Sequence, residues 1–187
     1  MKNIIHMIAT LSIIGIVAGG LLASVNGWAT PLIEANKKAE TEKAIFLVNP
    51  DGKSYQAVAN AGFAIYKVMD EPEKLIGYSI VYDGNGFQGK IRVMIGLSAD
   101  MKKLNKYEVL EQSETPGLGT LILEDPFKKQ FNELNTDPKI EWVKGKAPSK
   151  SNEIQTITGA TISSKAIVDI INNALEKARL LKEKGSL

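Results

Sequence analysis

The residues best suited to hold a charged ligand are Thr158-Gly159-Ala160-Thr161, with Ile162-Ser163-Ser164 behind them at the start of an amphipathic segment. Hydroxyl side chains at the mouth of a helix sit beside free backbone N–H groups and the positive end of the helix dipole, and both favour phosphate. Four small residues also leave room for a bulky ligand. The same residue types open helices as N-caps, so the tetrapeptide alone is read as a cap before it is read as a site. A second unusual stretch is Ser113-Glu114-Thr115-Pro116-Gly117-Leu118-Gly119-Thr120. Pro-Gly at its centre supports a type II turn, which places Leu118 at the tip and leaves Gly119 free to approach another group closely. A plain surface turn between two strands fits the same residues. An apolar tip suits contact with a flat ring. Glu114 has the chemistry of a general base, but no partner acid, nucleophile or metal cluster accompanies it, so no catalytic or metal-binding residue is assigned.

Composition removes several alternatives. The chain has no cysteine, which excludes thiolate chemistry, structural disulfides and iron–sulfur ligation on its own residues. Its single histidine is His6, inside an apolar stretch, so a histidine-based hydrolase is excluded for the rest of the chain. The formal net charge of +2 is spread over mixed acidic and basic residues, and nucleic acid is not an expected partner.

The elements that must position the two motifs follow from periodicity. Residues 3–33 carry no Lys, Arg, Asp or Glu. The apolar run over residues 4–25 makes about 33 Å of helix, enough to cross a bilayer. Gly27-Trp28-Ala29 resembles a signal-cleavage site, but the run exceeds the usual length of a cleaved apolar region, which favours a retained single-pass anchor with Trp28 at the interface. Gly15, Gly19 and Gly20 form a small-residue face of the kind that packs against other membrane helices, or ordinary membrane-helix composition. Lys2 on one side and Lys37 and Lys38 on the other leave orientation undecided by charge.

Residues 1–30 are therefore read as anchor and flank, and 31–187 as one folded domain. Pro31 suits the first turn of a charged helix over 31–44. Asn49-Pro50-Asp51-Gly52 is a turn signal. Strands are expected over 62–69, 75–82, 90–97 and around 107–110, with Asp83-Gly84-Asn85-Gly86 as a hairpin turn. Asp125-Pro126 reads as a helix start with Asp125 as N-cap, and Phe127 and Phe131 share a core face. A short strand with Trp142 as a packing aromatic is expected over 140–143, then a polar loop over 149–152. The final helix is expected over 162–184, with Ala166, Ile167, Ile170, Ile171, Ala174, Leu175 and Ala178 on one apolar stripe. The sum is an α+β fold: an N-terminal membrane helix, then a mainly antiparallel sheet packed on a long C-terminal helix.

Glu114–Gly119 (ETPGLG) and Thr158–Thr161 (TGAT) together resemble the two signature segments of FMN-binding subunits of membrane redox pumps. The resemblance points to the G subunits of Rnf-type ion-translocating ferredoxin:NAD oxidoreductases, with the C subunit of the sodium-pumping NADH:quinone reductase as a relative. It extends over nearly the whole chain, including the N-terminal helix, the strand from Gly89 to Gly96 and the helix after the second motif. It implies covalent FMN, held by a phosphoester on Thr161 and installed from FAD by an FMN transferase. Thr158, Gly159 and Ala160 would accompany the phosphate and ribityl chain, with Thr158 either a second donor to phosphate or a simple cap. Glu114, Thr115, Gly117, Leu118 and Gly119 would contact the flavin from the other side, with Leu118 against a ring face. One position departs from the usual pattern: Gln155 stands where relatives often carry Asp.

The implied function is an electron relay within an ion-pumping complex. The membrane helix has no carboxylate for an ion pathway, so translocation would belong to partner membrane and redox subunits. The family's topology implies a single-pass protein of the bacterial inner membrane with its FMN domain outside the cytoplasm. The rival reading is a membrane-tethered binding or assembly domain without flavin, using the same elements as scaffold only.

Overall fold

The computed structural model describes residues 2–59, 61–71 and 74–187. They divide into two compact units, Met1–Glu40 and Thr41–Leu187. Helix α1 runs from Lys2 to Val48. Within the first unit none of its described residues is buried. Among the described residues it is the one helix long and apolar enough to cross a membrane. Hydroxyls in this stretch bond one turn back: Thr10 Oγ1 donates to the His6 carbonyl at 2.9 Å, and Ser24 Oγ to the Gly20 carbonyl at 2.8 Å. That satisfies them without water, as a lipid environment demands.

The expected helix start at Pro31 is corrected. Pro31 lies inside α1. Its missing N–H removes one backbone bond, but Leu32, Glu34 and Ala35 after it and Ala29 before it are strong or adequate helix formers, and the helix continues. The compact unit accordingly begins at Thr41, ten residues after the composition boundary at 31.

The second unit is a six-stranded antiparallel meander in sequence order: β1 (Ser54–Ala57), β2 (Ile65–Asp70), β3 (Lys74–Asn85), β4 (Lys90–Ser98), β5 (Lys103–Glu111) and β6 (Leu134–Asn135). Alternation along β3 and β4 gives the sheet two apolar faces. Tyr78, Ile80, Ile91, Val93, Ile95 and Leu97 join a core with helix α3 (Thr161–Glu183). Val81 and Met94, together with Val68 of β2, face Ala44, Ile45 and Val48 at the end of α1. All seven expected stripe residues of α3 are buried. Each large aliphatic among them contributes about 1.5–3 kcal/mol by leaving water.

Between β5 and β6 lie a 3-10 helix (Gly119–Leu123), the single-turn helix α2 (Asp125–Lys128) and a second 3-10 turn (Lys129–Phe131). Phe127 and Phe131 are buried as expected, edge-to-face with ring centroids 5.3 Å apart. Tyr107 packs on Phe131 and donates its hydroxyl to the Ile122 carbonyl at 2.7 Å, while burial pushes its phenol upward. Here Glu124, and not Asp125, is the N-cap, without a side-chain cap bond; Asp125 is instead paired with Lys129.

Two further expectations change. The Asp83–Gly86 segment is mostly strand: Asp83, Gly84 and Asn85 pair with Arg92, Ile91 and Lys90, and the turn closes through the Gly86 N–H to the Gly89 carbonyl at 2.7 Å. Gly84 serves a close approach, since a Cβ there would lie 2.2 Å from Ile170 Cγ1 of α3. Strand β2 starts at Ile65, three residues after Gly62, whose φ of +78° breaks the extended run. A small parallel pair was not foreseen: β7 (Glu141–Val143) with β8 (Glu153–Gln155). Trp142 in β7 is more exposed than a core aromatic, with Lys165 Nζ 4.7 Å from its ring centre.

Candidate functional site

The β7–β8 pair delivers the second motif to the mouth of α3. After Gln155 the Thr156 N–H still bonds the Val143 carbonyl, and the chain then turns. Gly159 holds φ at +86°, a conformation costly for any residue with a Cβ. The Ala160 N–H bonds the Ile157 carbonyl at 3.1 Å and closes the turn. Ser164 Oγ braces it from the helix: it accepts the Ile157 N–H at 3.0 Å and donates to the Ala160 carbonyl at 2.9 Å. Gln155 is fixed through its backbone by both ends of the Gln130 carboxamide.

The capping expectation is corrected here. The N-cap of α3 is Ala160, which offers no side-chain bond, and Thr161 is the first helical residue. Four hydroxyls lie between residues 158 and 164. Ser164 holds the turn, and Ser163 Oγ donates to Glu114 Oε2 at 2.5 Å. The Thr158 and Thr161 hydroxyls make no bond to the described chain, and both line an open cavity of about 420 Å³.

The first motif forms the opposite wall. The Leu118 N–H bonds the Thr115 carbonyl at 3.2 Å, and Gly117 holds φ at +73°, as a type II turn requires at its third residue. The turn leads into the 3-10 helix at Gly119–Leu123, and not into a strand. Leu118 stands at the tip, 47% exposed, and lines the cavity with Thr115 and Gly119. The motifs meet at this point: a Cβ on Gly159 would sit 3.3 Å from Leu118 Cδ2.

Thr115, Leu118, Gly119, Thr158, Gly159, Ala160 and Thr161 are thus brought into one lining. Gly117 and Glu114 are outside it. Gly117 shapes the turn, and the Glu114 side chain points inward and is buried behind the wall. Sequence reasoning missed Phe87, Lys144, Ile162 and Ser163, which complete the lining. Phe87 did carry a signal: an aromatic side chain on a tip bounded by Gly86 and Gly89 has no core to enter, and it is 60% exposed. Lys144 had none. It arrives because β7 runs parallel to β8, so the residue after Val143 lies beside the turn after Gln155.

Among the described residues Lys144 is the one charged side chain in the lining, and it acts together with the positive end of a 23-residue helix. Apolar side chains of Phe87, Leu118 and Ile162 supply the remainder. Among the described residues no group of three His, Asp or Glu side chains is placed to hold a metal. The lining combines a cation, two hydroxyls without a partner in the described chain, and apolar side chains, which suits an anionic, partly planar ligand of drug-like size.

Comparison with known proteins agrees in kind. The FMN-binding domain family matches residues 86–176, a span that contains both motifs and the Phe87 hairpin. The chain is 31% identical over 186 residues to the G subunit of the ion-translocating oxidoreductase complex of Methanosarcina acetivorans, covering 94% of each chain. It is 28% identical over 178 residues to the G subunit of the proton-translocating ferredoxin:NAD(+) oxidoreductase complex of Clostridium ljungdahlii, covering 94% of this chain and 92% of that one. Among solved structures, the C subunit of the Na(+)-translocating NADH-quinone reductase from Parabacteroides distasonis aligns with a TM-score of 0.57 at 19% identity, over 76% of this chain and 92% of that one. NqrC from Shewanella oneidensis aligns with a TM-score of 0.53 at 20% identity, over 73% and 66%. At that identity the two structures bear on the fold alone.

Proposed function

The chain belongs to the family of G subunits of Rnf-type ion-translocating ferredoxin:NAD oxidoreductase complexes, and from that premise we propose that it carries its FMN covalently, as a phosphoester on Thr161. It is a flavoprotein electron carrier within such a complex of several subunits. FMN supplies reversible electron uptake, and the protein's own contribution is position and electrostatics.

The observation that carries the attachment site is the division of labour among four hydroxyls. Ser163 and Ser164 are consumed by the fold, whereas Thr158 and Thr161 are left free at the cavity. Thr161 is favoured because it is the first residue of α3. A phosphate on its Oγ lies beside first-turn N–H groups that have no intrahelical partner. In the ester an O–P bond replaces the Thr161 O–H bond. With FAD as donor to a flavin transferase, the phosphoanhydride breaks, AMP leaves, and the hydroxyl proton is released. Lys144 balances phosphate charge, Gly159 and Ala160 admit the ribityl chain, and Phe87, Leu118 and Ile162 provide apolar contact for the ring system. Thr158 donates to the phosphate without bonding covalently.

The apolar half of α1 is proposed to anchor the protein in the cell membrane, with the FMN domain on the extracytoplasmic side and the other redox and membrane subunits as neighbours. Protease treatment of spheroplasts should then cleave within residues 41–187; protection until lysis would reverse the orientation.

The attachment is tested by co-expression with a flavin transferase. Wild-type chain should show flavin fluorescence on a denaturing gel and an intact mass higher by one FMN less one water. Thr161→Ala should lose both while its far-ultraviolet circular dichroism is retained. Its expected stability cost is no more than about 0.5–2 kcal/mol. Thr158→Ala should keep the adduct. A folded Thr161→Ala protein that still carries denaturation-resistant FMN sinks the assignment.

A further inference from the structure

Glu114 is a buried carboxylate with no cationic partner among the described salt bridges, and the cavity it stands behind does not include it. An unpaired buried carboxylate is costly unless its oxygens are fully hydrogen-bonded. Here three donors from two distant parts of the chain converge on it. Oε1 accepts the Phe87 N–H at 2.8 Å and the Gln88 N–H at 3.2 Å, both on the β3–β4 hairpin tip. Oε2 accepts from Ser163 Oγ at 2.5 Å, in the first turn of α3. The Glu114 backbone is itself pinned, its N–H donating to Gln112 Oε1.

The surroundings are cut to this carboxylate. A Cβ on Gly86 would stand 2.2 Å from Oε1, and a Cβ on Gly119 would stand 2.6 Å from Oε2 and 2.9 Å from Ser163 Oγ. Two glycines, Gly86 on the hairpin and Gly119 at the start of the 3-10 helix, thus give up their side-chain space to one acid. Every segment it holds carries cavity wall: Phe87 on the hairpin, Leu118 and Gly119 where the turn enters the 3-10 helix, Ile162 and Ser163 beside Thr161 on the helix. The hairpin donor and the helix donor are 27 and 49 residues away from Glu114 in sequence.

We infer that Glu114 is a positioning residue: its carboxylate clamps the hairpin tip, the turn and the helix start into one arrangement, and so sets the orientation in which the flavin ring is held. This rests on the reading that FMN occupies the cavity. A carboxylate is suited to the task because it only accepts, and each of its three contacts is a charge-assisted donor bond. The clamp works through hydrogen-bond geometry, so Gln, whose carbonyl can take the two N–H groups and whose NH₂ can donate to Ser163 Oγ, should largely replace it. Ala should not.

The test uses the full-length, flavinylated chain in detergent. Glu114→Ala, Glu114→Gln and Ser163→Ala are compared at a temperature where far-ultraviolet circular dichroism shows each to be folded. The readouts are visible-region circular dichroism of the flavin and quenching of its fluorescence by iodide. Denaturation-resistant flavin is measured in parallel. Glu114→Ala should keep covalent flavin, lose most of the visible dichroism and raise iodide quenching severalfold. Ser163→Ala, which breaks one arm and is the variant to read if Glu114→Ala does not fold, should shift both signals part of the way. Glu114→Gln should return to near wild-type values. Wild-type visible dichroism and quenching in Glu114→Ala, or in Ser163→Ala if that is the folded variant, overturns the clamp. Failure of Glu114→Gln to rescue overturns the geometric mechanism. Loss of denaturation-resistant flavin from the wild-type chain would instead strike the attachment at Thr161.

Discussion

Two buried polar clusters tie distant parts of the domain together, one around Asn49 and one around Glu114. Asn49 lies just past the end of α1 and is 2% exposed. Its Nδ2 donates to the Tyr78 carbonyl at 3.1 Å and to Ser79 Oγ at 2.8 Å, and its Oδ1 accepts from Asn105 Nδ2 at 2.6 Å. Ser79 passes a further bond to the Ile45 carbonyl. The cluster is neutral, and it fastens the end of α1 to β3 and β5. Glu114 is an acid, and it holds two residues of the cavity lining, Phe87 and Ser163, with Gln88 beside them. Both clusters are fitted against glycine, Gly77 at the first, with Gly96 beside it against Val48, and Gly86 and Gly119 at the second. The same device therefore serves two ends. A neutral amide fixes the framework, while a carboxylate fed by loop N–H groups fixes surfaces that must meet a ligand.

The largest expected effect comes from breaking the neutral cluster. Asn49→Leu removes the donor to Ser79 Oγ and the Tyr78 carbonyl and the acceptor for Asn105 Nδ2, and it should cost about 2–4 kcal/mol in chemical denaturation. The folded fraction should still be flavinylated normally. Loss of covalent flavin from folded Asn49→Leu would erase the distinction between the two clusters.

The glycines allow a matched pair of smaller changes. A Cβ on Gly96 would be 2.3 Å from the Val48 carbonyl oxygen, a backbone atom that cannot step aside. Gly96→Ala should therefore cost about 1–3 kcal/mol and leave the flavin signals alone. On Gly86 the added methyl meets Glu114 and Ile91 side-chain atoms, which can move. Gly86→Ala should cost about 1 kcal/mol yet shift the visible dichroism of the flavin. Equal stability losses with no flavin change in either variant would argue against a special role for the second cluster.

The smallest effect involves a second carboxylate, Glu153, in the segment leading to the second motif. The Ser149 N–H, chiefly, holds its pKa down to about 2 against the opposing effect of burial, with Ser149 Oγ and Lys150 assisting. A depressed acid stabilises the folded state above its ordinary value near 4.5, and that contribution is lost as pH falls through about 2. A carboxyl-resolved NMR titration should place the Glu153 midpoint near 2, and Glu153→Gln should remove this part of the acid sensitivity between pH 4.5 and 2. A midpoint at the ordinary value would show that the loop bonds do not persist in solution.

Much of this molecule was determined locally, within a few residues at a time. The stripe from Ala166 to Ala178 specified α3 because an amphipathic helix repeats over one turn. Pro116-Gly117 specified its turn because only the φ of Pro and the positive φ of Gly are needed, and Asn49–Gly52 closes as a turn with Pro50 at its second position. The charge-free run before residue 34 marked a membrane-length helix by length and composition alone. The sequence also carried both motifs and the family to which they belong. Tertiary structure decided what distance along the chain conceals. Gly84 lacked a side chain because α3 presses on it, and Gly86 lacked one because Glu114 needed the space. Lys144 joined the cavity through a parallel strand pair too short to read from periodicity. Which hydroxyls remained free also depended on long-range partners: Ser163 was claimed by an acid 49 residues away, and Ser164 by the turn folded over it, leaving Thr158 and Thr161. Periodicity and turn chemistry are properties of neighbours, whereas convergence on one carboxylate exists only once the sheet has brought its donors together.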